Sequence, residues 1–545
     1  MSLAEVLAAR LMAVTGVDPE LRPSTKPQFG HYQCNAAMRL AAESGRKPRE
    51  IAQEIVDQVD LEDLCEPLEI AGPGFINIRI RPERLAQNIT EILADPHCGI
   101  TQTTQPDVVI VDYSAPNVAK PMHVGNLRST IIGDCLVRVL RATGNTVIGQ
   151  NHIGDWGTQF GMLVEQILFE GIDASTLTLE TSVELYKRGQ AHFRDDPEFA
   201  QAARNRVVSL QSGDPTTLAI WSTLIEVSKA GFNRAYARLG VLLTDDDLAG
   251  ESIYNSMLDA VAEDLQAQGI ATMDAGALCV FLSGDDSPLI VRKSDGGYGY
   301  SATDLAAIRY RICDLGATRL IYVVGSPQSH HFAQIFATAR LAGWLTDKVR
   351  AEHVGFGSVL GSDGKMFKTR DGKAVTLDTL LDAAEEVASP EVAMAAVEYA
   401  DLSNALHKDY VFDVNRMTAT TGDTGPYLQY AHARVSQILR RALADGDQIH
   451  DESAQITELA EPAEQMVALT LTRFPSIVDE VAQTLQPHKL CGYLFELATQ
   501  LSTFYEQCPV LKSEARASRL VLCRATQKVL AAGLELLGIQ APESM

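Results

Sequence analysis

The chain contains no uncharged apolar stretch of about 18 residues, so nothing in it reads as a membrane-spanning helix. Residues 1–14 carry Glu5 and Arg10 among apolar neighbours where a secretory signal would show one long apolar run. Basic charge is scarce: 46 Lys and Arg stand against 70 Asp and Glu, a net charge of −24. A general polyanion binder draws its affinity from released counterions and needs a basic surface, so any contact with nucleic acid must be local and shaped. The nine cysteines (34, 65, 98, 135, 279, 313, 491, 508 and 523) are scattered and form no CxxC pair. His97-Cys98 has no second pair at zinc-like spacing. A disulfide framework and a structural metal are thus disfavoured, and a reducing cytoplasm is the expected compartment. Internal repeats and low-complexity segments are also missing. What remains is 545 residues with a 46% hydrophobic fraction, ordinary for globular proteins; that length is enough for about three to five compact units.

Three regions differ in texture. Residues 1–105 mix helical periodicity (Pro48-Arg49-Glu50-Ile51-Ala52-Gln53-Glu54-Ile55-Val56) with a period-two run, Phe75-Ile76-Asn77-Ile78-Arg79-Ile80, that follows a Gly72-Pro73-Gly74 turn. Residues 99–106 are mostly polar, end in proline and read as a linker. Residues 106–390 are α/β. Short apolar, partly β-branched runs start at Val108, Thr146, Leu278, Leu289 and Leu320, several of them separated by helical patterns, which predicts a mainly parallel sheet. Residues 156–250 are helical and polar, an insertion in that sheet. Residues 391–545 show long amphipathic helices without a convincing strand and predict an all-α bundle.

Residues 108–127, VVIVDYSAPNVAKPMHVGNL, read as strand, Pro-bearing turn and helix. At the carboxyl end of a strand in an open α/β sheet nucleotides bind, and a helix N-terminus favours anions. Gly125 would admit a flat ligand to the backbone, and His123 would face a phosphate. Alone, His123 would as readily be a simple helix cap. Gly364-Lys365-Met366-Phe367-Lys368-Thr369-Arg370 adds a loop with two ammonium groups, able to neutralise charge developing on a triphosphate.

These segments resemble the signatures of the class I aminoacyl-tRNA synthetases, and among them the arginyl-tRNA synthetase family. Ser114 to Gly125, continuing through Leu127-Arg128-Ser129-Thr130, resembles the extended HIGH signature. Lys365 to Arg370 resembles KMSKS, with both lysines kept. Asn151-His152-Ile153-Gly154-Asp155-Trp156-Gly157, Gly250-Glu251-Ser252 and Gly425-Pro426-Tyr427-Leu428-Gln429-Tyr430 match further family motifs, so the resemblance spans essentially the whole chain.

The resemblance implies a Rossmann-like catalytic domain with an α+β domain before it, which reads the outer corner of tRNA, and an anticodon-binding helical bundle after it. It also implies an arginine–tRNA ligase: L-arginine is activated by ATP, with Mg2+ carried on the phosphates, and passed to tRNA(Arg) by a monomeric cytoplasmic enzyme. His123, Asn126, Lys365, Lys368 and Lys120 would carry the chemistry, and Gly125 would join them at ATP. Asn117, Glu251, Tyr300, Asp304 and Gln328 would form the arginine pocket; a guanidinium needs carboxylates, although spacing alone allows Asp304 a surface place and Tyr300 a core one. Phe75, Asn77, Tyr427, Tyr430, Arg434 and Met545 would meet tRNA, with bases stacked on the aromatics. Lys512, Arg516 and Arg519 share a helical face and would either track a phosphate backbone or lie in solvent.

Two departures stand out. Asn126 replaces the second histidine of the signature, and an Asn126→His change is expected to raise the activation rate if the position only tunes catalysis. Residues 381–399 are shorter than the family norm. A specialised duplicate synthetase and a catalytically silent tRNA-binding paralogue are the rival readings. Retention of His123, Lys365, Lys368 and Asp304 disfavours the silent one.

Overall fold

The computed structural model describes residues 3–24, 29–285, 287–361, 363–365, 375–447 and 455–545. At its centre four parallel strands run in the order Arg350–Phe356, Arg319–Gly325, Val108–Asp112, Thr146–Gln150. Val109, Val111, Leu320 and Val323 are buried in it, as expected of strands covered on both faces. Val108–Asp112, the first of these four in chain order, lies between the second and the third, so the order reverses there and opens a crevice at the carboxyl ends. Gln150, Gly325 and Phe356 end the neighbouring strands on that same rim.

The helix Val124–Ala142 rises from the crevice and is buried on nearly every side. The sheet covers one flank; the helices Leu377–Glu385, Pro390–Leu402, Phe474–Thr484 and Arg516–Leu536 cover the other. Gly133 makes that packing feasible, since a Cβ there would lie 2.3 Å from the Tyr113 ring. Residues 156–250 form the expected insertion, the helices Thr158–Glu170, Leu179–Asp195, Pro197–Gln211 and Pro215–Arg238.

Two strand expectations need correction. The runs at Leu278 and Leu289 do not join the parallel sheet: Ala271–Asp274, Ala277–Val280 and Leu289–Arg292 make a separate antiparallel sheet. The place is taken by Arg350–Phe356, whose Arg350, Glu352 and His353 hide its strand character. The helical region also holds one short strand, Tyr410–Val411, paired in parallel with Val359–Leu360.

The N-terminal unit is a four-stranded antiparallel sheet, ordered Arg22–Pro23, Tyr32–Cys34, Phe75–Ile78, Glu69–Ala71, with the helix Pro48–Gln58 packed against it. Its next helix, Pro82–Ala94, lies against Pro462–Thr472 and Arg516–Leu536. There the Lys528 ammonium donates to the carbonyls of Ile92, Leu93 and Asp95, the end of the helix where a cation is favoured.

Candidate active site

The turn after Asp112 is held in an unusual backbone. Ser114, Ala115 and Ala119 all have left-handed φ (72°, 44° and 59°), a strained choice for residues with a Cβ. Side-chain bonds from several elements enforce it. The Ser114 N–H donates to Ser129 Oγ at 2.9 Å, and Ser114 Oγ lies 2.7 Å from the Tyr236 hydroxyl. Thr130 donates to Ser114 Oγ, Ala115 N–H donates to Asn151 Oδ1, and Ala119 N–H donates to Ser228 Oγ. Tyr236 and Ser228 come from the insertion, more than 100 residues on, and no local pattern marks them.

His123 caps the helix it precedes. The Gly125 N–H donates to His123 Nδ1 at 2.9 Å, and the His123 N–H donates to Asn126 Oδ1 at 3.1 Å, a closed capping box. The cap reading and the phosphate reading are compatible. A proton acceptor at Nδ1 leaves the ring proton on Nε2, free to be donated outward. Burial, with the Lys120 charge beside it, lowers the imidazole pKa, so the neutral ring is favoured. A Cβ on Gly125 would stand 2.8 Å from Nδ1, so the residue at this position is dictated by the cap. Asn126 is fully engaged: its Nδ2 donates to the Ser114 carbonyl at 3.2 Å, tying the cap to the strained turn. Lys120 donates to Gln159 at 2.9 Å and lies over the Tyr186 ring.

Lys365 sits in an exposed turn, its N–H bonded to Asp363 Oδ1 and its carbonyl accepting from the Gly361 N–H. Lys368 lies outside the described residues. Where the chain is described again, it returns to His123: Val124 N–H donates to the Val375 carbonyl, Leu377 N–H donates to the Met122 carbonyl, and His123 pairs with Thr376. The two lysines thus belong to a segment that ends on the histidine signature.

Beside this turn lies an acidic pocket. Asp155 is buried and accepts from both the N–H and the hydroxyl of Ser252, at 2.9 and 2.6 Å. Gly250 is needed at this clamp, because a Cβ would fall 2.3 Å from Asp155 Oδ2. The clamp holds the backbone next to Glu251, and burial together with the charges of Asp155 and Asp304 pushes its carboxyl up to about 7. Asp304 meets His331 Nε2 at 2.6 Å, and Tyr300 stands edge-on to that imidazole at 4.9 Å. Tyr300 is 67% exposed, which removes the core reading of it. Asn117 pairs with Gly154 across the pocket, and Gln328 is exposed at the start of the helix Ser329–Leu341. Beneath, His152 stacks on Tyr254 and Arg311 pairs with Asp112 at 2.7 Å. The arrangement offers carboxylates to a cation and an imidazole donor to an anion, side by side.

On the helix Gly425–Ala444, Tyr427, Tyr430 and Arg434 share one face, with Arg434 3.9 Å over the Tyr505 ring and Tyr430 45% exposed. The C-terminal tail is strapped to a different face of this helix, its Gln540, Pro542 and Glu543 carbonyls meeting Gln429, His432 and Arg440; Met545 beyond it is exposed. Two expectations change here. Asn77 is 5% exposed and its Oδ1 accepts from Gln33, so on this strand only half-buried Phe75 is open to a base. Arg516 is bound to Asp445 and Asp447, and buried Arg519 to Glu464, so neither is a free phosphate contact.

Residues 88–393 match the family described as tRNA synthetases class I (R), catalytic domain; residues 428–545 match the DALR anticodon binding domain, and residues 1–80 the arginyl tRNA synthetase N terminal domain. The chain is 59% identical to the arginine–tRNA ligase of Cutibacterium acnes over the full length of both, and 47% identical to that of Thermobifida fusca over 99% of each. Among solved structures, the arginyl-tRNA synthetase of Thermus thermophilus superposes with a TM-score of 0.82 at 26% identity, covering 100% of both chains. That of Plasmodium falciparum gives 0.84 at 27%, covering 100% of this chain and 99% of the other.

Proposed function

We propose, from the premise that this chain belongs to the arginyl-tRNA synthetase family, that it joins L-arginine to tRNA(Arg) at the cost of ATP. The arginine carboxylate attacks the α-phosphate of ATP and pyrophosphate leaves; the arginyl-adenylate then gives its acyl group to the terminal ribose of the tRNA and releases AMP. The observation that carries this reading is the return of residues 375–377 onto the backbone of Met122, His123 and Val124, which brings the chain that follows the lysine signature back to the histidine signature.

Little covalent help is needed from protein for this reaction; position and charge supply most of the rate. His123 donates from Nε2 to a phosphate oxygen on which charge grows. Lys365 and Lys368 neutralise the pyrophosphate, and magnesium, if bound with the nucleotide, would supply further shielding of the same charge. Lys120 assists once it leaves Gln159. Asn126 holds the cap and acts through His123. Asp304 and Glu251 receive the guanidinium and the α-ammonium, with Tyr300, Asn117 and Gln328 around them. Tyr427, Tyr430 and Arg434 contact anticodon bases, Met545 lies near them, and Phe75 meets the outer corner of the tRNA. A reducing cytoplasm fits nine unpaired cysteines, eight of them buried, and the enzyme acts as a monomer in this reading.

ATP–pyrophosphate exchange with arginine, run with and without tRNA(Arg), tests the reading. Arginine-specific exchange is expected when tRNA is present. Absence of exchange under every condition, with tRNA binding intact, would leave a silent RNA-binding protein instead.

A further inference from the structure

Arg128 lies one turn into the signature helix and is almost completely buried, at 1% side-chain exposure, facing Asp401 at 0%. The pairing is poor as a source of stability. Only Nε reaches Asp401, at 3.3 Å, while Arg128 Nη2 and Asp401 Oδ2 have no hydrogen-bond partner. Taking two charges out of water costs more than one long contact returns, and well-packed apolar residues would serve stability as well or better.

What the pair does have is a place where four segments of the molecule meet. Arg128 belongs to the helix that starts at His123. Asp401 belongs to Pro390–Leu402, the helix that follows Leu377–Glu385 beyond the catalytic sheet. The guanidinium stacks between Phe356, the last residue of the outer parallel strand, and Tyr410, at 5.6 and 5.3 Å. Its Nη1 donates to the Lys408 carbonyl at 3.0 Å. Phe356 and Tyr410 are themselves joined by the chain that follows: Gly357 N–H donates to the Leu406 carbonyl, Ser358 N–H to Asp409 Oδ1, and Val359–Leu360 pairs with Tyr410–Val411. Gly361 then bonds the Lys365 carbonyl. A continuous path of short contacts therefore runs from Arg128 through residues 356–361 to Lys365, and through Asp401 and residues 408–411 into the helical domain.

We propose that Arg128 and Asp401 are a positioning pair for the reaction: they set the 356–361 stem, and Lys365 with it, against the His123 end of the signature helix, and they take that setting from the helical domain. A planar guanidinium suits the task because it stacks on two rings and bonds a carbonyl at once, which a point charge does not do. The inference rests on the arginine-activating reading above.

The test replaces the pair with apolar residues of similar volume, Arg128→Met with Asp401→Leu, in the full chain. The melting temperature should stay level or rise. If the pair positions the lysine segment, kcat for arginine-dependent exchange falls on the order of tenfold to a hundredfold, while KM for arginine and for tRNA(Arg) moves less than about twofold. The same replacement at another buried pair, Arg519→Met with Glu464→Leu, lies within the helical domain and should leave kcat unchanged. A folded 128/401 double variant with wild-type kcat overturns the proposal. Should that variant fail to fold, Arg128→Lys keeps the charge beside Asp401 and removes the stack; it is expected to show the same loss in kcat at unchanged KM, and wild-type kcat would overturn the proposal equally. Wild-type protein inactive in exchange would instead remove the arginine-activating reading, a result separate from either variant outcome.

Discussion

The helix Val124–Ala142 starts at His123 and the helix Gly425–Ala444 starts at Thr424, and each opens with a side chain that caps its first turn. Beyond the caps the two starts are built differently. Around His123 nearly every polar group is spent on holding backbone: Ser129, Thr130, Asn151, Ser228 and Tyr236 pin the turn, and Asn126 locks the cap to it. Around Thr424 the side chains proposed to meet bases are held less tightly: Tyr430 is exposed, and Arg434 lies over the Tyr505 ring. Displacing phosphate charge demands placement to a fraction of an ångström, which only an over-determined backbone supplies. Stacking on a splayed base tolerates adjustment, so exposed aromatics on one helical face suffice.

The contrast predicts that small changes at the first helix cost rate and larger changes at the second cost affinity. Gly125→Ala should be the most damaging. Alanine favours a helix by about 1 kcal/mol over glycine, so the fold should hold, yet the new Cβ would lie 2.7 Å from the His123 ring and must displace it. Exchange kcat should fall on the order of a hundredfold with tRNA affinity intact; a wild-type rate would show that the cap geometry is dispensable. Asn126→His comes next, and here the structure reverses the direction expected from sequence. The amide both accepts from His123 N–H and donates to the Ser114 carbonyl from two atoms on one carbon, whereas an imidazole carries its one acceptor and one donor on diverging edges of a bulkier ring. Single-turnover activation should slow on the order of tenfold or more, whereas faster turnover would mean the turn tolerates a second ring.

At the other helix, Tyr430→Ala removes one stacking face worth about 1–3 kcal/mol. The KM for tRNA(Arg) should rise about tenfold while kcat at saturating tRNA is kept; a fall in kcat alone would blur the distinction between the two helices. The mildest effect is on pH. Burial and the charges of Asp155 and Asp304 hold the Glu251 carboxyl at about 7, so below that pH it is protonated and neutral. Arginine needs the carboxylate, so its KM should fall as pH rises from about 6 to about 8, with a slope of at most about one log unit per pH unit. Glu251→Gln should flatten that profile, and an unchanged slope in the Gln variant would assign the titration elsewhere.

Much of this was legible beforehand. The strand at Val108, the Pro-bearing turn, the helix after His123, the insertion and the helical bundle follow from local pattern, because burial on both faces demands apolar strands and amphipathic helices repeat visibly. Arg350–Phe356 does not read as a strand because, at the edge of the sheet, it carries polar residues on both faces, Arg350 and Glu352 on one and His353 on the other. The runs at Leu278 and Leu289 look like parallel strands because side-chain patterning does not encode which neighbour a strand pairs with. Arg516 and Arg519 read as a solvent-facing stripe, since their partners Asp445, Asp447 and Glu464 lie more than 50 residues away. Asn77 alternates with Phe75 as foreseen, but its neighbour across the sheet, Gln33, occupies and covers it.

By itself the sequence determined the family and the fold class, because those depend on chemistry and patterning carried in short segments. Its net charge of −24 also speaks against a broadly basic, counterion-releasing surface as the means of contacting RNA. Only the tertiary structure decided that His123 presents Nε2 outward, that Glu251 titrates near neutrality, and that Arg128 joins the signature helix to Asp401 across 273 positions. Each of these is set by what a side chain is packed against, and burial and distant charge leave no trace in local spacing.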